Sequence, residues 1–243
     1  MYGFWVLVVL ILISSFPVIA VYLWFRLAKY TFSLIRFLFA LLAGAAAFFP
    51  ALILQEFLIL PGFTQGRAAL FYEIFIRVAL SEELSRLLLL FIFFLISSII
   101  AGETPNKPVK DSDHPKYDSL INKGTATGLI AGLGFAILES ARFAASDLDI
   151  NLVLLRIITA AIHGACGSRI GAAAVMFRIN PVRALLRIIT ATAIHGVFNF
   201  LITIPGFPSI AAILIAISAL TTTIITIRGG WDEEGVSKGQ GGS

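Results

Sequence analysis

Two nearly repeated stretches, "LLRIITAAIHGACG" from Leu154 and "LLRIITATAIHGVFN" from Leu185, each set one histidine inside an otherwise apolar run. These are His163 and His195, and His195 is followed at i+4 by Asn199, one turn on along the same helical face. A third stretch, "SEELSR", holds Glu82, Glu83 and Arg86 directly before "LLLLFIFFLISSII". At about 100° per residue, Arg86 projects between the two carboxylates, and an ion pair with either is within reach. A fourth, "GFAILES", sets Phe135 and Glu139 one turn apart, with Arg142 at i+3 from Glu139 as a local partner. Carboxylates, imidazoles and an amide around a wet pocket suit hydrolysis. A carboxylate or histidine can activate water as general base, and imidazole with Asn199 can stabilise the oxyanion of a tetrahedral intermediate. Adjacent carboxylates in a dry site do not both ionise easily unless Arg86 or a metal offsets them. The same groups could bind zinc, although no HExxH and no Cys/His cluster with ligand spacing demands it. No other cofactor is implied.

Each group has a plainer reading. A single buried histidine is more often a satisfied core residue than a catalyst, and "SEELSR" could be a solvated helix cap. The capping reading is weakened because the run after it has to enter a bilayer. Arg36, Arg156 and Arg187 lie near span ends and read as snorkelling side chains. His114 reads as a loop histidine without a role, and Cys166 as a small core residue. With one cysteine there is no intrachain disulfide.

The chain has 243 residues, of which 58% are hydrophobic and 13% charged, with a mean hydropathy of +0.95. Soluble domains carry roughly a quarter charged residues, so this is an all-α, polytopic membrane bundle. Expected spans are 3–25, 31–54, 68–101, 126–145, 152–177, 184–204 and 209–227, about seven helices at about 20 residues per crossing. The third is too long for one perpendicular crossing. It opens with Glu73 and Arg77 at i,i+4, so an interfacial, broken or re-entrant start is open. The first run lacks a basic n-region and an A-x-A site and reads as a retained helix. Residues 1–228 form one integral-membrane domain with its motif-bearing core at 68–204. Residues 229–243, rich in Gly and Ser, read as a flexible tail or an artificial remnant. Basic residues gather in the 26–29 connection, the 103–123 loop, the 178–183 turn and the tail, whereas the alternate connections carry only Arg67. The positive-inside rule then puts the N-terminus outside and the C-terminus in the cytoplasm. With alternating spans, Glu82, Glu139, His163 and His195 all fall at mid-bilayer or in its outer half, as a shared site requires. The partial repeat on antiparallel helices is compatible with an inverted duplication.

At these residues the sequence resembles the PrsW-type intramembrane proteases, within the superfamily that includes CAAX prenyl endopeptidases and bacteriocin-processing proteins. "EELSR", "GFAILE", "HGACG" and "HGVFN" match in order the EExxK/R, FxxxE/H, HxxxG and HxxxN/D motifs, over 81–199. Arg86 stands where such members often carry Lys, and Glu139 occupies the slot where prenyl endopeptidases have His, arguing against a prenyl-protein substrate. The resemblance implies an enzyme of the bacterial inner membrane. Its substrate would be a single-span membrane protein, such as an anti-sigma-factor-like regulator, cut near its extracytoplasmic face. Glu82 or Glu83 would be the water-activating base, with Glu139 and His163 completing the polar centre. His195 and Asn199 would form the oxyanion pair, supported by Arg86 and Phe135. If zinc is bound, its ligands come from Glu82, Glu83, Glu139, His163 and His195. The partners are then the lipid bilayer and a membrane-protein substrate, with no nucleic acid. Two other classes compete. A proton-coupled transporter or channel also uses Glu/His chains, but has no need of a HxxxN face. A non-catalytic scaffold of the same fold would not need the motifs intact.

Overall fold

The computed structural model describes residues 2–30, 32–62, 65–100, 114–142, 150–177, 179–204 and 207–240. Among them there are helices and no strands, as a chain without water to satisfy its backbone requires. The helices are α1 (Tyr2–Leu27), α2 (Leu34–Ala46), α3 (Phe48–Phe57), α4 (Gly66–Phe71), a π-helical segment (Tyr72–Leu80), α5 (Ser81–Ile100), α6 (His114–Ala141), α7 (Ile150–Met176), α8 (Pro181–Ile202) and α9 (Phe207–Gln240). Six stretches are long and apolar enough to cross a membrane: Gly3–Leu27, Leu34–Phe57, Asp118–Ala141, Val153–Met176, Pro181–Ile202 and Ser209–Gly230. They coincide with six of the expected spans. The remaining expected span, 68–101, is an unbroken helical path through α4, the π segment and α5, with the Glu82–Glu83–Arg86 cluster in its middle.

Burial separates the helices by role. The spanning window of α6 is 78% buried, whereas those of α1, α2–α3, α8 and α9 are between 22% and 33% buried. The outer helices turn residues such as Leu12, Phe39, Leu185 and Ile217 outward, as helices in contact with lipid chains do. Lipid offers no hydrophobic drive for helices to associate, so close backbone packing has to supply it. α6 and α7 accomplish this with small residues. A Cβ on Gly132 would lie 2.0 Å from the His163 carbonyl oxygen, and one on Gly128 equally close to that of Gly167. On its other side α6 meets α2, where a Cβ on Gly44 would strike the Ala131 carbonyl at 1.8 Å. α6 is therefore clamped between two neighbours with almost no side-chain layer between them. At the start of α8, Asn180 caps the helix by accepting the Arg183 backbone N–H at 3.0 Å, with Pro181 following it.

Two expectations are corrected by this architecture. The 103–123 loop is shorter than its composition suggested, because α6 already begins at His114; residues 101–113 lie outside those described. The segment after Arg228, expected as a flexible tail, has helical backbone to Gln240, since α9 simply continues. The expected "SDLDIN" connection falls largely outside the described residues, as do Arg178 and the first half of "PGFP".

Candidate active site

The site is built where the π segment meets α5. A π turn carries an extra residue relative to an α turn and is often found at functional sites. Here it ends at Leu80, directly before Ser81, Glu82 and Glu83. Ser81 Oγ donates back to the carbonyls of Arg77 (2.6 Å) and Val78 (2.9 Å), and Ser85 Oγ to that of Ser81 (2.7 Å), which ties the junction to its own backbone. The expected Glu73–Arg77 pair forms at 2.6 Å. Arg77 Nε also donates to the Gln55 carbonyl at 2.8 Å and so anchors the π segment to α3.

Four helices then bring the motif residues together. Glu82, Glu83, Arg86, His163 and His195 are all essentially inaccessible, and Glu139 is half-buried. Arg86 Nη2 donates to Glu83 Oε1, and its Nη1 donates to the His163 carbonyl at 3.1 Å. The guanidinium lies 4.8 Å from the Phe135 ring centroid. A cation this deep is costly unless it is paired and hydrogen-bonded, and all three contacts help meet that cost. His195 Nδ1 lies 2.8 Å from Glu83 Oε1, and His163 Nε2 lies 2.9 Å from Glu139 Oε2. The two imidazoles pack edge to face with centroids 4.9 Å apart, and Phe135 sits 5.2 Å from that of His163. The shared depth expected from the spans is thus a physical cluster.

The hydrogen-bond pattern fixes which nitrogen of each imidazole is left over. An ionised carboxylate only accepts, so the nitrogen beside it carries the hydrogen. His195 therefore donates from Nδ1 to Glu83, and His163 from Nε2 to Glu139. This leaves His195 Nε2, which lies 3.7 Å from Glu82 Oε2, too far for a direct hydrogen bond. It also leaves His163 Nδ1, which is buried without a hydrogen-bond partner, as is Glu82 Oε2. Ligating atoms of Glu82, His163 and His195 all fall within 4.8 Å of one another. Three donors with lone pairs free, two of them imidazoles whose other nitrogen is held by a carboxylate, fit the donor set and outer-shell pattern of a zinc site.

Two residues of this centre were not singled out by sequence. Gln55, on α3, donates from Nε2 to Glu82 Oε1 at 3.2 Å. Nothing in "ALILQEF" signals this, because the contact spans 27 residues. Arg156 corrects an expectation: it does not snorkel but is buried, with Nη1 3.6 Å from Glu139 Oε2. Arg142, the local partner offered by sequence, instead stands 5.9 Å from the Phe48 ring centroid. Asn199 is half-buried and makes no side-chain hydrogen bond among the described residues, so it is not joined to His195. Cys166 is a buried free thiol within the apolar core, as expected. Against known proteins, residues 33–226 match the family model described as PrsW family intramembrane metalloprotease. No curated protein and no solved structure matches the chain.

Proposed function

The chain belongs to the PrsW family of intramembrane metalloproteases, and from that premise we propose that it cuts a single-span membrane protein with water activated at Glu82, His163 and His195. The observation that supports this most is that ligand atoms of Glu82, His163 and His195 lie within 4.8 Å of one another, with Glu82 Oε2 and His163 Nδ1 buried and without a hydrogen bond. Glu82, His163 and His195 are the residues that would hold zinc. When bound, zinc supplies Lewis-acid polarisation of the scissile carbonyl and a more acidic bound water. Glu83 and Glu139 hold the imidazole hydrogens and so fix both ring orientations. With Glu82 engaged, Glu83 Oε2 is the buried carboxylate oxygen left to take the proton of the attacking water. In a metal-free reaction Glu82 Oε2 takes it, since it faces His195 Nε2. Asn199, one turn beyond His195, is the amide we assign to the developing oxyanion. The expected pairing of His195 with Asn199 in that role gives way, because the His195 hydrogen on Nδ1 is donated to Glu83 and Nε2 holds a lone pair, which cannot donate to an oxyanion. The substrate class, an anti-sigma-factor-like regulator cut near the extracytoplasmic side of a bacterial inner membrane, follows from the family resemblance and from the outer-half depth of the motifs.

The test uses purified protein in liposomes with a panel of single-span membrane proteins, comparing the parent with Glu82→Gln and His195→Ala, each with and without a zinc chelator. Cleavage by the parent, abolished in both folded variants and by the chelator and restored by added zinc, is the expected result. Cleavage indifferent to the chelator moves the proton acceptor to Glu82. If the variants alter proton or solute flux while no substrate is cut, the hydrolase reading fails in favour of a transporter.

A further inference from the structure

A cavity of about 660 Å³ opens among α6, α7, α8 and α9, away from the motif residues. Arg169, Arg183 and Arg187 line it, against the one carboxylate of Asp118. Arg187 precedes His195 by eight residues and Arg169 follows His163 by six. At 1.5 Å per residue, the cavity therefore lies roughly 9–12 Å along the helices toward the α7–α8 turn. Its charge is unbalanced by construction: Arg183 and Arg187 make no ion pair among the described residues. Arg169 has only neutral partners there, donating to the Ala165 carbonyl at 2.8 Å and the Thr222 hydroxyl at 2.9 Å. Those bonds hold its guanidinium in place between α7 and α9. Asp118 can neutralise one of the three cations.

We propose that this cavity binds the phosphate-bearing headgroup of an anionic phospholipid. Guanidinium forks match phosphate oxygens two at a time, which ammonium groups do not. Leu186 forms part of the same wall and is 57% exposed, and its neighbour Ile189 is 54% exposed. An acyl chain can run along that apolar flank while its phosphate enters among the arginines, whereas a free phosphate would leave the flank unused. The site is at the end of the α7 and α8 spans, where the headgroups of a bilayer lie, and basic pockets between membrane helices are suited to such headgroups. It contains no residue of the hydrolytic centre and does not depend on that reading.

The test is lipid retention by the full chain, measured by native mass spectrometry after release from nanodiscs of phosphatidylglycerol or phosphatidylcholine. The parent should retain phosphatidylglycerol preferentially, and R183Q/R187Q should retain it at least about tenfold less. D118N, which removes the competing carboxylate, should retain it more tightly than the parent, and this arm stands even if the arginine variant does not fold. Equal retention of the two lipids, or retention unchanged in both variants, overturns the site. Glycerol phosphate that competes as well as the whole lipid overturns the lipid assignment and leaves a soluble phosphate as the ligand.

Discussion

Arg156 puts its guanidinium 3.6 Å from the same Glu139 oxygen that holds His163 Nε2 at 2.9 Å, so it acts on the centre through Glu139. It touches neither His163 nor Glu82 in the described contacts and is a positioning residue. Removing it leaves Glu139 half-buried with one partner fewer and free to rotate away from the imidazole. Arg156→Gln is expected to lower kcat by up to about 10-fold, the low end of the scale for the outer partner of a ligating histidine because Arg156 acts through that partner, with KM nearly unchanged. A purely structural role would lower the amount of folded enzyme without altering kcat per folded molecule. Arg156→Lys, which restores the charge without the planar fork, should recover part of the loss. None of this is written in the local sequence. "GFAILESAR" offers Arg142 to Glu139 at i+3, and the contact that forms instead comes from another helix, at the far side of a connection. Glu82, Glu83, His163 and His195 were legible because an ionisable group inside an apolar run needs a reason wherever it lands. Arg156 has the same signature, but it stands near the start of its run, where snorkelling accounts for it equally well.

At the scale of helices, the α6–α7 contact decides where His163 stands. Gly124, Gly128 and Gly132 recur at four-residue spacing and face Gly164, Gly167 and Gly171 across the interface. Gly132 meets the His163 carbonyl, which in turn accepts from Arg86. A side chain at 132 therefore displaces both the histidine and the cation below it. Gly132→Val should cost about 1–3 kcal/mol or more in stability, as overpacking does, and should reduce cleavage further than the loss of folded protein explains. Gly229→Ala is the control, because a Cβ there meets nothing within 4 Å and Ala favours a helix over Gly, so its Tm should equal or slightly exceed that of the parent. Thermal unfolding in one detergent, followed by activity per folded molecule, separates the two effects. The four-residue glycine spacing was visible in the sequence, but its partner face was not, because a stripe of small residues does not say which helix it meets. The π segment was less legible still. "YEIFIRVAL" reads as an ordinary amphipathic helix, and nothing in it marks the π turn or the bond that Arg77 makes to α3.

The whole molecule has two unlike ends. Glu82, Glu139, His163 and His195 lie toward the α3–α4, α6–α7 and α8–α9 connections, whereas Arg26, Lys123, Arg183 and Arg228 lie toward the other end. Composition and the length of the apolar runs were enough to read the class of fold, since such runs have few ways to satisfy their backbones in lipid. The same runs could not show that the acid-bearing helix is one continuous path, because composition changes there while the helical backbone continues. Charge asymmetry predicts how the bundle sits in a membrane: basic connections remain on the cytoplasmic side, which puts the hydrolytic centre in the outer half. Single-cysteine labelling tests this, and the native Cys166 is a poor competitor because it is fully buried. A membrane-impermeant maleimide added outside intact spheroplasts should label Leu60→Cys, at the exposed α3–α4 connection, and should spare Arg26→Cys, at the exposed end of α1, until the membrane is opened. The opposite pattern would invert the bundle and put the centre next to the cytoplasm. The substrate bond would then have to be sought on the cytoplasmic side of its membrane segment, and the anionic-headgroup cavity would face the outer leaflet.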